Sequence, residues 1–166
     1  MKRKITSFVV VSLLLISSCG SSDVKVSNEV VEPAPKAQAE KVWEEFTLGA
    51  VGNTMMDMKY SLKNITVKEG SWVRIILENQ GSDPAMIHNI LFITYGKRAD
   101  LALSAVEAGL ESNYIPKSKD VIAASGLAQP GETVTLEFEA PKKGNYEFFC
   151  SYPGHSTAMR GYFFVK

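Results

Sequence analysis

The sequence predicts an all-β domain, a Greek-key β-sandwich of about eight short strands interrupted by one short helical segment. Three observations carry this prediction. Apolar and polar residues alternate in several short runs, the period of a half-buried strand. Turn-forming residues punctuate those runs at Gly52-Asn53, Glu69-Gly70, Asn79-Gln80-Gly81, Pro130-Gly131 and Pro141 to Gly144. Only the stretch from Asp100 to Gly109 places apolar residues at helical spacing.

The N-terminal part stands outside that domain. Met1-Lys2-Arg3-Lys4 is a positive n-region, and Ile5 to Ile16 is an apolar run too short to span a bilayer comfortably. The run ends in Ile16-Ser17-Ser18-Cys19, which resembles a bacterial lipobox. Residues 1–18 are therefore expected to be a lipoprotein signal peptide, with Cys19 the lipidated first residue of the mature chain. A simple secretory signal cleaved near Ser18 or Cys19 is the alternative. A lipid on Cys19 would place an exported protein on the periplasmic or outer side of a bacterial membrane without spanning it. Residues 19–42 carry Ser, Pro and charge with no apolar periodicity, the composition of a flexible tether. The folded domain is expected over residues 43–166, opening at Trp43.

Within the domain the elements follow in order. Glu45 to Val51 alternates up to the Gly52-Asn53 turn, and Met56, Met58 and Tyr60 alternate with Asp57 and Lys59. Leu62, Ile65 and Val67 continue the pattern. Trp72 to Glu78 is a β-branched strand, and Ile87 to Ile93 is another behind a Pro84 loop. Asp100 can cap a helix, Leu101, Ala105 and Ala108 share one face of it, and Gly109 can end it. A loop through Pro116 leads to Val121-Ile122-Ala123. Thr133 to Phe138 alternates, Tyr146 to Cys150 is an aromatic strand, and Gly161 to Val165 closes the chain.

Composition narrows function by exclusion. At 166 residues the chain supports one domain with a sizeable core. Loss of residues 1–18 removes Lys2, Arg3 and Lys4 but no acid, leaving 15 basic against 18 acidic side chains. No basic stripe points to nucleic acid. There is no internal repeat, no nucleotide-binding glycine loop and no membrane span after the leader.

Chemistry concentrates between Cys150 and Gly161. Cys150, His155 and Met159 are spaced C-x4-H-x3-M, and Pro153-Gly154 is a turn that folds the segment back on itself. Thiolate, imidazole and thioether are soft ligands that suit copper, and a trigonal Cys and two His with a weak axial Met is the blue-copper arrangement. The chain has two histidines, so His88 is the forced candidate for the missing ligand. With Cys19 lipidated, Cys150 has no disulfide partner in an oxidising compartment, which argues for its use as a ligand. Two histidines cannot serve a second, catalytic copper as well. The expected role is electron transfer through one copper per chain, not enzymatic turnover.

The same segment, Cys150-Ser151-Tyr152-Pro153-Gly154-His155-Ser156-Thr157-Ala158-Met159-Arg160-Gly161, resembles the copper loop of the azurins, and Met86-Ile87-His88-Asn89 resembles their Met-Gly-His-Asn. Ala108-Gly109-Leu110 through Tyr114 and Pro116 to Val121-Ile122-Ala123 resembles their helical flap and following strand. The likeness runs from about Phe46 to Lys166. It implies a cupredoxin fold and a type 1 copper held by His88, Cys150, His155 and Met159. It also implies N–H groups of Asn89 and Tyr152 donating to the Cys150 sulfur, and an Asn89 side chain tied to Ser151. His155 would be the electron port, in an apolar surface with Met56, Met86 and Ala158. Ile87 stands where the family has a glycine whose carbonyl is a distant axial contact, Ile90 replaces a buried Trp, and the family's disulfide has no counterpart. Expected partners are redox proteins such as c-type cytochromes or exported oxidoreductases, met by a monomer. Copper trafficking or storage is the competing role, with Met55, Met56 and Met58 as its feature; alternation puts Met56 and Met58 on one face and Met55 on the other. A metal-free domain in which Cys and His only pack is the third reading.

Overall fold

A computed structural model describes residues 41–166. The leader over residues 1–18, Cys19 and all but the last two residues of the expected tether lie outside the described residues. The ordered elements are β1 (Trp43–Val51), β2 (Lys59–Tyr60), β3 (Asn64–Val67), β4 (Trp72–Asn79), β5 (Leu91–Thr94), α1 (Arg98–Ala108), a 3-10 turn (Leu110–Ser112), β6 (Val121–Ala124), β7 (Thr133–Glu139), β8 (Gly144–Phe149) and β9 (Arg160–Val165). They form a four-stranded sheet in the order β2-β1-β4-β7 and a five-stranded sheet in the order β3-β9-β8-β5-β6. The all-β sandwich of the sequence analysis is therefore present. Among the described residues no helix is long and apolar enough to cross a membrane.

Alternation builds the core. In β4, Val73, Ile75 and Leu77 are buried while Trp72, Arg74, Ile76 and Glu78 are only partly covered. From the opposite sheet come Phe92, Phe148 and Phe163, all fully buried, and Phe92 lies 4.8 Å from Phe138 and 4.9 Å from Phe163 between ring centroids. Each such side chain contributes roughly 2–3 kcal/mol by leaving water. The approach is tightest at Gly161, where a Cβ would stand 2.2 Å from Phe148 Cζ and 2.6 Å from the Lys63 carbonyl oxygen. No other residue fits there.

Three local expectations are corrected. The run Ile87 to Ile93 is a strand only from Leu91; His88 instead makes an isolated bridge to Ala128, and the Ser125 hydroxyl accepts from the Ile90 N–H. Its lack of alternation has a cause. Leu91, Ile93 and Phe149 face a second cluster completed by Leu101 of α1, so β5 is buried on both sides. The helix begins at Arg98, with Asp100 in its first turn and Lys97, lacking a side-chain bond, at the cap position. Residues 54–57 form a turn and not a strand, because the Asp57 carboxylate accepts from the Thr54 N–H (2.7 Å) and hydroxyl (2.6 Å). Met56 is consequently 94% exposed while Met58 is buried in the core, so the two do not share a face.

Candidate metal centre

Neighbouring strand ends deliver the donor groups. Cys150 follows β8 directly and Met159 precedes β9 directly. Between them the chain makes a tight double turn: His155 N–H donates to the Tyr152 carbonyl (3.0 Å), Met159 N–H to that of His155 (2.9 Å), and Cys150 N–H to that of Met159 (2.9 Å). Gly154, at φ +85°, supplies the left-handed step this requires. His88 comes from the other side, its N–H donating to the Ala128 carbonyl (3.1 Å) and its carbonyl accepting from Ala128 N–H (2.7 Å).

These segments bring three donor atoms together. Cys150 Sγ lies 3.9 Å from His88 Nδ1 and 3.8 Å from His155 Nδ1, and the two nitrogens are 3.2 Å apart. Bonds of about 2.0 Å to nitrogen and about 2.3 Å to sulfur, the lengths at protein zinc sites, would leave donors of one shared ion at such separations. Cys150 is a free thiol, fully buried, with His88 equally buried, His155 nearly so, and Met159 also inaccessible. The chemistry of the set therefore fits one soft, small cation.

Burial lowers the charge the site holds without a metal. It depresses His88 to about 4, helped by the neighbouring His155, and lowers His155 as well. The same burial raises the Cys150 thiol to about 11, against the pull of N–H groups of Asn89 and Tyr152 directed at its sulfur. Those are the two donors implied by the family resemblance. Both imidazoles thus keep lone pairs free for a metal, while the thiolate needs a cation beside it. Metal uptake would release the thiol proton.

Asn89 ties the two ligand segments together. Its side-chain amide donates to the Ser151 hydroxyl (2.8 Å) and the Asn113 carbonyl (2.9 Å), and its Oδ1 accepts from Ser151 N–H (2.9 Å). The aromatic rings of Tyr114 and Tyr152 pack edge to face at 5.2 Å, and Tyr152 lies 4.9 Å from His155. His88 Nε2 is buried without a hydrogen-bond partner, so packing and the Ala128 bridge hold that ring.

The expected apolar surface is partly revised. Met56 is exposed and Ala158 partly so, but Met86 is 3% exposed and belongs to the core. Its main chain is turned inward by a bond from its N–H to the Asp83 carbonyl and by Asn79, which holds its carbonyl. Met55 takes its place at the surface, its methyl 3.1 Å from where a Cβ on Gly154 would sit. Ile87 is half-buried beside His88. Sequence reasoning missed Asn79, which reads as one letter of a turn signal. In the fold it is buried at the end of β4, donating to the carbonyls of Met86 (2.7 Å) and Ala128 (2.9 Å) and accepting from Gly81 N–H (3.0 Å). Tyr60, Ser125 and Asn113 were missed too, because nothing in an alternating run or a loop marks a hydroxyl or carbonyl as inward-facing.

Known proteins agree with this geometry. Residues 48–166 match the family described as copper binding proteins, plastocyanin/azurin family. Auracyanin-A of Chloroflexus aurantiacus is 32% identical over 114 residues, covering 67% of this chain and 69% of the relative. Azurin of Alcaligenes faecalis is 34% identical over 111 residues, covering 63% and 87%. Among solved structures, auracyanin A, a blue copper protein of the same Chloroflexus species, superposes with a TM-score of 0.67 at 29% identity, over 75% of this chain and 99% of that one. An azurin (Az-iso2) from Methylomonas sp. strain J gives 0.65 at 30% identity, over 74% and 97%. With the family matched across the folded domain and two imidazoles and a thiol converging beside Met159, this chain belongs to the plastocyanin/azurin family as a blue copper electron-transfer protein.

Proposed function

We propose that the protein shuttles single electrons between exported redox proteins while a lipid on Cys19 holds it at a bacterial membrane. The observation that carries the copper role is the buried triangle of His88 Nδ1, Cys150 Sγ and His155 Nδ1. Met159 would complete the donor set with its thioether in this reading. Copper supplies a one-electron couple; the chain supplies a site that barely changes shape. Main-chain bonds clamp the Cys150–Met159 turn, and Asn89 links it to His88, so both oxidation states meet the same donor set. Burial excludes water as a further ligand. His155 is only 2% exposed, with Ala158 in the same turn and Met55 against the adjoining Gly154, and is in this reading the port through which a partner such as a c-type cytochrome exchanges the electron. Both histidines of the chain are committed to this one centre, which leaves no imidazole for a second, catalytic copper. The protein works as a monomer, with residues 19–42 as its tether.

Loading the mature protein with Cu(II) and recording its visible spectrum tests the reading. An intense thiolate-to-copper band, lost in Cys150→Ser and His88→Ala, is expected; its absence in the unaltered protein would sink the copper role. Copper handover is the second reading, favoured by the exposed thioethers of Met55 and Met56. Reversible one-electron cycling without loss of metal to a Cu(I) chelator decides for electron transfer.

A further inference from the structure

We propose that the buried Tyr60 hydroxyl positions the copper centre: it fixes the Asn89 main chain, which carries His88 and an N–H aimed at the Cys150 sulfur, and thereby raises the reduction potential. The proposal rests on the copper reading above and assigns a residue to its tuning.

Tyr60 ends β2, whose backbone pairs it with Ala50. Its ring is 1% exposed and packs 5.8 Å from Phe148, two residues before the Cys150 ligand. The hydroxyl donates to the main-chain carbonyl of Asn89. A phenylalanine would fill the same volume with no polar atom to satisfy, so packing alone does not account for the hydroxyl.

Asn89 is the junction through which this bond acts. Its carbonyl accepts the hydrogen bond from the Tyr60 hydroxyl, its side chain clasps Ser151, and its N–H is one of two main-chain groups directed at the Cys150 sulfur. Without the hydroxyl, the Asn89 carbonyl loses this buried partner. The segment then gains freedom to rotate, and the N–H bond to sulfur weakens. Hydrogen bonds to a copper-bound sulfur draw electron density from the thiolate and favour the reduced metal, which is one of the levers on blue-copper potentials.

The test is Tyr60→Phe in the full mature chain, read by redox titration, by the copper–sulfur stretch in resonance Raman, and by the Asn89 amide proton of the metal-free protein in NMR. The expected result is a three- to tenfold shift of the copper equilibrium toward Cu(II), a potential lower by about 30–60 mV at 59 mV per tenfold. A stiffer copper–sulfur stretch and an upfield Asn89 amide accompany it. An unchanged potential and an unchanged Asn89 amide overturn the proposal, even if thermal stability falls, because a merely structural tyrosine would do that. Should Tyr60→Phe fail to fold, a site-specific 3-fluorotyrosine at position 60 keeps the shape and strengthens the donor. It must raise the potential, and a null result there also overturns the proposal. Failure of the copper reading is distinguishable, since the unaltered protein would then show no intense visible band.

Discussion

Where β4 and β8 finish, the structure buries polar side chains; where β1 and β4 begin, it exposes aromatic ones. Asn79, His88, Asn89, Ser125, Ser151 and His155 are all buried around the metal centre, and only Ser71 is a buried polar residue elsewhere among those described. At the opposite end Trp43 and Trp72 pack at 5.7 Å under the cations of Lys41 and Arg74, and Arg74 also pairs with Glu45 and Glu137. Buried polar groups must satisfy one another, so a change to one is felt by the rest. Exposed groups can exchange a lost partner for water. The metal end should therefore be brittle and the far end tolerant.

Asn79→Ala should break the metal end most severely. It strips a partner from the Met86 and Ala128 carbonyls and from Gly81 N–H, though Ala128 retains its bond from His88 N–H. A cost of about 2–4 kcal/mol in denaturant unfolding of the metal-free protein is expected. Because the His88 segment hangs from those carbonyls, copper should also be lost faster to a chelator. Normal copper retention alongside the stability loss would show that Asn79 supports the fold and not the site.

Acid should find the same weakness next. His88 has a folded pKa of about 4 against an ordinary 6.5, so between those values the unfolded chain binds the extra proton. Stability of the metal-free protein is then fully present above pH 6.5 and lost as pH falls toward 4, by roughly 2–3 kcal/mol. His155 shifts in the same direction. Asp57, held below its ordinary 3.8 by Thr54, acts only at lower pH. Urea unfolding from pH 7 to 4 checks this, with His88→Gln as the control. A slope equally steep in that variant would assign the acid sensitivity to other groups.

The two ends also differed in how much of them could be read beforehand. The loop of Cys150, His155 and Met159 was legible because its ligands lie close in sequence and a Pro-Gly turn stands between them. The Asn89–Ser151 clasp and the sulfur donors followed from the family resemblance. From the residues alone His88 was reached by elimination, with the family resemblance of Met86-Ile87-His88-Asn89 beside it, since its place depends on a bridge to Ala128, forty residues away in the chain. Tyr60 and Asn79 act through main-chain carbonyls, and one-dimensional patterns carry no record of which carbonyl a side chain will meet. The Met56–Met58 alternation misled for a local reason: one carboxylate, Asp57, turned a strand-like run into a capped turn. Met86 misled for a tertiary one, because Asn79 pulls its main chain inward.

Gly154→Ala probes the metal end more gently. The position has φ +85°, and an added methyl would meet Met55 Cε at 3.1 Å. Left-handed strain should cost about 1 kcal/mol, and the contact adds to it unless the flexible thioether moves aside. Met55→Ala in the same chain should recover the steric part and leave the backbone part. Full recovery in thermal melts would mean that the loop tolerates the strain and that the glycine serves only to make room for Met55.

Arg74→Gln should be the smallest effect and decides whether the far end is as tolerant as its construction implies. The guanidinium contacts Glu45 at 2.9 Å and Glu137 at 2.7 Å, and both partners are well exposed. Water and salt compete for such pairs, and the side-chain order they demand offsets most of the attraction. The thermal midpoint should fall by less than in any variant above, with the difference vanishing at high salt, while copper spectrum and potential stay unchanged. A potential that moves with Arg74 would contradict the separation of the two ends. The parallel pairing of β1 with β4, which runs from Trp43 and Trp72 to Ala50 and Asn79, would then be the route by which strain at one end reaches the other.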